Sequence, residues 1–128
     1  MSISDDLNVN AGRIARAWLS YHDSEDEEYF WAVEELLRLV FENPQKAWNV
    51  VSRVNEFSAS HELREYLDGI IAAGPLEDLV HAHGTWLISQ LLNQPTVDER
   101  LRDQLRLVYF REGIAKVTKD KLLALTEK

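Results

Sequence analysis

The residues best equipped for chemistry in this 128-residue chain lie in one short segment, Glu77-Asp78-x-x-His81-x-His83. Carboxylate and imidazole are the groups that hold a divalent metal, and a catalytic zinc needs three of them converging on one point. Helical geometry works against that convergence. His81 shares a polar face with Glu77 and Asp78, whereas His83 falls among Leu79, Val80 and Leu87, so the two imidazoles point about 200° apart. His83 is expected as a core histidine hydrogen-bonded to backbone or carboxylate, and His22 and His61 sit at expected helix ends without a ligand pattern. No metal site is assigned. Glu34 and Glu35 offer a carboxylate pair for acid and base work, but adjacent helical residues diverge, and 22 acids in one chain make such pairs unavoidable. The sequence has no glycine loop to cradle phosphate, no G-x-S-x-G elbow and no H-E-x-x-H helix. It has no cysteine, which excludes disulfides, thiolate ligands and cysteine nucleophiles. The expectation is a non-enzymatic protein, with no catalytic residues and no cofactor.

Recognition chemistry is better represented. The run Asp23 to Glu28 is acidic throughout apart from Ser24, and carboxylates in a first helical turn stabilise the positive end of the helix dipole. Exposed, Glu27 and Glu28 also form an acidic knob suited to a basic protein surface. On the helix that follows, Phe30, Val33, Leu36, Leu37, Val40 and Phe41 share one apolar face, and Glu34, Glu35, Arg38 and Glu42 share the other. Trp31 projects into the middle of that polar face. Either another segment covers the indole, or it is an exposed aromatic rimmed by carboxylates, the make-up of an interface hot spot.

These residues must be positioned by helices, because no run shows the alternating β-branched pattern of a strand. The spacing predicts a first helix from about Asp5 to Tyr21, with Leu7, Ala11, Ile14, Trp18 and Tyr21 on one side. Ser24 with Glu27 forms a capping box for a second helix ending near Glu42. Asn43-Pro44 caps and opens a third, lined by Ala47, Val50, Val51, Val54, Phe57 and Ser58. Ser60 caps a fourth, carrying Leu63, Tyr66, Leu67, Ile70 and Ile71, and Gly74-Pro75 ends it and opens a fifth that runs to about Asn93. Thr96 with Glu99 caps a sixth, whose stripe is Leu101, Leu105 and Val108 and whose end is Gly113. A short seventh runs from Thr118 to Thr126. The fold class is all-α: a single domain over residues 1–128 with six or seven helices packed as antiparallel hairpins, and residues 113–128 as the candidate for a loosely packed end.

Acidic residues outnumber basic ones 22 to 14, giving a net charge of −8. That balance repels phosphate backbones and anionic lipid surfaces, which argues against nucleic acid and membrane partners. Residues 97–128 hold 8 Lys and Arg against 6 Asp and Glu, so the acidity is concentrated in the first 96 residues. A basic protein is the natural charged partner; a homodimer joining the basic sixth helix, Arg100 to Arg111, to the acidic second is the other electrostatic option. The acidic start of the chain and the absence of cysteine lead to a cytoplasmic expectation.

Two stretches carry a family resemblance: Tyr29-Phe30-Trp31-Ala32-Val33-Glu34-Glu35-Leu36-Leu37 leading to Asn43-Pro44-Gln45-Lys46-Ala47-Trp48, and Ala72-Ala73-Gly74-Pro75-Leu76-Glu77-Asp78-Leu79-Val80-His81-Ala82-His83-Gly84. Together they resemble a family of small bacterial helical proteins known only as a domain of unknown function. The resemblance covers about residues 18 to 87. It implies a helical fold and a bacterial source, and it singles out Trp31, Trp48, Gly74, Pro75, Leu76, Glu77, Asp78, His83 and Gly84. It implies no activity. The functional expectation is a protein-binding module that contacts its partner through Trp31, Glu27, Glu28, Glu34, Glu35 and Arg38. In its sharpest version it is an immunity-type protein that neutralises a basic toxin. The alternative is a metal-assisted enzyme or small-ligand protein at the Gly74 to Gly84 corner.

Overall fold

The computed structural model describes residues 3–94 and 98–127, residues 3–9 by their backbone alone. Among the described residues there are seven α-helices and no strand, so the all-α expectation holds. The chain divides into two compact units, Met1–Leu67 and Asp68–Lys128.

The first unit is built on α1 (Ile3–Ser24), α2 (Phe30–Glu42) and α3 (Pro44–Phe57), each packed against the other two. α1 runs past Tyr21 because its ladder continues: Ser24 Oγ donates to the Ser20 carbonyl at 2.8 Å, and Glu25 N–H donates to the Tyr21 carbonyl at 2.6 Å. It stops where Glu25 takes a left-handed conformation, φ +58°, which an L-residue cannot repeat as a helix. That reversal overturns the expected Ser24–Glu27 capping box. Ser24 closes α1, and the cap passes to Asp26, whose carboxylate accepts the Glu28 N–H at 3.0 Å and starts a 3₁₀ turn, Glu27–Tyr29, ahead of α2.

Only Asn43 separates α2 from α3. Its side chain accepts the Lys46 N–H at 3.2 Å, and Pro44 occupies the first turn, where a missing N–H costs nothing. The core combines Ala11, Ile14, Ala15 and Trp18 of α1 with Ala32, Leu36, Leu39 and Val40 of α2 and Ala47, Trp48, Val50, Val51 and Val54 of α3. The alanines let the helices approach closely, and each buried Leu, Val or Ile contributes about 1.5–3 kcal/mol. Of the face expected for α1, the Leu7 side chain lies outside the described residues. Ser58, buried, ends α3 by donating its hydroxyl to the Val54 carbonyl at 2.6 Å. Among the described residues Ser60 makes no capping hydrogen bond; instead His61 Nδ1 accepts the Leu63 N–H at 3.0 Å, and α4 (Arg64–Ile71) begins later than expected.

The second unit begins within α4 and continues through α5 (Glu77–Leu92), α6 (Glu99–Leu107) and α7 (Lys116–Thr126). Gly74-Pro75 does not break the chain as expected. The backbone passes through a π turn, Ala72–Leu76. In an α-helix Pro75 would remove one hydrogen bond and collide with the carbonyl four residues back, and a turn widened to i→i+5 accommodates it. Asp98 caps α6, accepting N–H groups of Arg100 at 2.7 Å and Leu101 at 3.3 Å; the expected Thr96 cap lies outside the described residues. α6 ends at Leu107, ahead of Gly113, because Val108 is already extended (φ −66°, ψ 131°), and Gly113 supplies a positive φ of 94° to the turn before α7. α7 packs on α5 and α6 and buries Leu122. Asp68 of α4 reaches α6, where Arg100 Nε donates to it at 2.7 Å and Gln104 Nε2 at 2.9 Å.

Candidate functional site

The buried face of α2 is Ala32, Leu36, Leu39 and Val40, rotated toward Leu39 from the apolar face read in the sequence. The rotation leaves Phe30 at 41%, Leu37 at 51% and Phe41 at 56% exposure. At 100° per residue these three and Glu34 fall in one narrow strip, an apolar ridge along the helix with a carboxylate in its middle. Glu27 stands exposed in the turn just ahead of it.

Trp31 lies beside the ridge and is 39% exposed, so other segments flank the indole without burying it. The carboxylates expected around it are joined by a cation. The Arg13 guanidinium carbon stands 5.4 Å from the centre of the indole, because α1 runs alongside this flank of α2. The acids of that flank are engaged with Arg38, which donates to Glu35 and to Glu42. The Arg38 hydrogen bond holds the Glu35 carboxyl below its ordinary value, and Glu35 and then Glu42 raise Arg38 in return. Of the residues expected to meet a partner, Trp31, Glu27, Glu28 and Glu34 are thus exposed without an ion pair among the described residues, whereas Glu35 and Arg38 are tied to each other.

Trp31 and Arg13 border two depressions. The larger, an open cleft of about 710 Å³, lies where α1, α2 and α3 meet and is lined by Arg13, Arg16, Tyr29, Trp31, Arg53 and Phe57, with Glu28 at its edge. The smaller, about 270 Å³, adds Glu35 and Lys46. A chain of net charge −8 therefore gathers three guanidiniums at one concave spot. Sequence reasoning missed it, since its walls come from segments some forty residues apart; the visible signal was the Arg13–Arg16 spacing, which puts both on one face of α1.

The Gly74 to Gly84 corner is placed differently from its expectation. Glu77 and Asp78 both accept from Arg111 Nη2, at 2.7 and 3.1 Å, and these two bonds raise the Arg111 pKa, Glu77 more than Asp78. His81 Nε2 lies 3.1 Å from the Tyr109 carbonyl and 3.2 Å from the Arg111 backbone nitrogen, within the same clasp. His83 is not the hydrogen-bonded core histidine anticipated: its backbone (φ −140°, ψ 42°) kinks α5, and its buried Nε2 has no partner among the described residues. Gly84 is required by space, because a Cβ there would stand 2.7 Å from Thr118 Cγ2 of α7. Trp48 and Leu76 are buried, and Gly74 and Pro75 form the π turn, so these family-pattern residues build the helices and their packing. Among the described residues no three His, Asp or Glu side chains are grouped to hold a metal. His22 packs at a tilt of 56° against Trp18, ring centres 4.1 Å apart, and burial lowers its pKa against the opposing pull of Glu25. No helix among the described residues is long and apolar enough to cross a membrane.

The fold and this surface define a small all-α protein with an exposed apolar ridge and a basic, aromatic-walled cleft on its first three helices. The chain belongs to DUF6869, a family of unknown function whose model matches residues 20–122. The match contains the ridge, Trp31, Arg53 and Phe57, and begins after Arg13 and Arg16. Comparison with curated proteins and with solved structures found no match to either.

Proposed function

We propose that the chain is a non-enzymatic protein-binding module whose contact surface is the α2 ridge. The observation that carries this reading is the exposure of Phe30, Leu37 and Phe41 in one strip, flanked by Glu27 and Glu34. Exposed apolar strips of this kind with a charged surround mark protein contact sites. The partner presents an apolar trough bordered by Lys or Arg, so that the carboxylates meet opposite charge and the net −8 speeds encounter. Neutralisation of a basic toxin by an immunity-type protein is the most specific form of this reading, and charge complementarity is its support.

The test is affinity capture from cells of the source organism with wild-type protein and with Leu37→Glu/Phe41→Glu, whose exposed positions spare the core. Capture of a basic protein by the wild type, released by salt and abolished in the variant, is the expected result. Equal recovery by both proteins would sink the proposal.

A further inference from the structure

We infer that the cleft between α1, α2 and α3 binds a small organic molecule pairing a phosphate group with an aromatic body, the chemistry of a nucleoside monophosphate. The cleft volume of about 710 Å³ falls in the range of small-molecule pockets. Its cations are held in an unusual way. The Arg13 guanidinium carbon lies 5.4 Å from the Trp31 ring centre and that of Arg16 4.4 Å from the Phe57 ring centre. Neither forms an ion pair among the described residues, whereas Arg38, Arg100, Arg106 and Arg111 are each bound to a carboxylate. A guanidinium held over an aromatic ring instead of paired with a carboxylate keeps N–H donors for an incoming anion. Arg53 gives Nη1 to Glu56 at 2.8 Å and retains its other donors.

Three guanidiniums exceed what one carboxylate can accept, and they suit the three free oxygens and near-double negative charge of a phosphate monoester. Trp31, Tyr29 and Phe57 offer aromatic surface for the rest of the molecule. Glu28 at the edge repels a second anionic group and accepts from hydroxyl donors, which favours one phosphate over a chain of them. This inference is independent of the α2 ridge and stands or falls without it.

Calorimetric titration of the full-length protein with adenosine monophosphate, phenyl phosphate, adenosine and inorganic phosphate, with tryptophan fluorescence as a second readout, tests it. Saturable binding of the two aromatic phosphates with indole quenching is expected, with adenosine and inorganic phosphate each at least about tenfold weaker. Arg13→Gln and Arg16→Gln lower affinity about tenfold or more, on the scale of a charge-assisted hydrogen bond. Arg13→Lys, which keeps the charge and loses the fork, also weakens binding, and it serves as the second variant should a glutamine variant fold poorly. Arg111→Gln, in the other unit, leaves binding unchanged. No saturable binding of either aromatic phosphate up to about 10 mM overturns the assignment, since a weaker site has negligible affinity. So does equal affinity in the wild type and the Arg13 and Arg16 variants. Inorganic phosphate binding as tightly as adenosine monophosphate overturns the aromatic part.

Discussion

Arg13 of α1 lies over the ring of Trp31 of α2, its guanidinium carbon 5.4 Å from the ring centre, so a cation from one helix sits against a part-exposed indole of the next. A cation–π contact at a partly exposed position is worth about 0.5–1 kcal/mol. Arg13→Ala is expected to cost that much in denaturant unfolding and to increase quenching of the Trp31 fluorescence by acrylamide, a neutral quencher whose access to the ring depends on cover and not on charge. A loss above 2 kcal/mol, or unchanged quenching, would show that the contact is not what holds the pair.

The α2 ridge separates stability from recognition. Leu37→Ser and Phe41→Ser should change unfolding free energy by no more than about 0.5 kcal/mol, as exposed substitutions do. Leu39→Ala, two residues from Leu37 but buried, should cost about 2–5 kcal/mol. If the Ser variants proved as costly as Leu39→Ala, the ridge would be part of a core.

In the second unit, Asp68 and Arg100 form an ion pair whose side chains are 14% and 7% exposed. Removing Asp68 takes from the buried Arg100 and Gln104 the carboxylate that both donate to. Asp68→Ala is therefore expected to cost about 3–5 kcal/mol, whereas Arg111→Ala, whose side chain is half exposed, should cost far less. Thermal denaturation of the two variants side by side measures the difference.

Gly84 faces Thr118 too closely for any side chain, and Gly84→Ala should destabilise by about 1–3 kcal/mol through overpacking. Thr118→Ser removes the offending Cγ2. The double variant should recover most of that loss, and a double variant as unstable as Gly84→Ala would place the strain elsewhere.

His22 gives the chain a pH response with a definite sign. Burial lowers its folded pKa, so the unfolded chain takes up a proton first as pH falls. Its contribution to stability is complete above the unfolded value of about 6.5 and declines as pH drops toward the lowered folded value. Glu35, also lowered, adds a further decline on the acid side of the ordinary carboxyl range. His22→Phe should flatten the slope of unfolding free energy between about pH 7 and 5; an unaltered slope would assign it to other groups.

Where local signals decide local structure, the sequence was readable. Asn43-Pro44 caps and starts α3 as its chemistry requires, and Ala47, Val50, Val51 and Val54 lie on the buried side that their spacing indicates. Ser24 was misread because the left-handed Glu25 cannot be inferred from a glutamate, a residue with no preference for that conformation. The α2 face was misread because periodicity measures where apolar residues are, not which of them tertiary contacts cover. Phe30, Leu37 and Phe41 keep the helical period and remain in water. Pro75 looked like a stop, yet a helix can widen around a proline. The cleft was hardest to see. The Arg13–Arg16 spacing marks one face of α1, but Arg53 and Phe57 join it only when α1 and α3 are side by side, and that adjacency is a property of the fold.

The single residue between α2 and α3 has a mechanical meaning. A connection of one side-chain-capped asparagine leaves few backbone angles between α2 and α3, and the packing of both helices on each other and on α1 holds those angles. The ridge and the two cleft walls on these helices thus move as a rigid elbow. Whatever docks there meets a backbone already in its final shape and loses little conformational entropy from the protein's side. What remains to be ordered at that surface is its side chains, Arg13 and Arg16 among them.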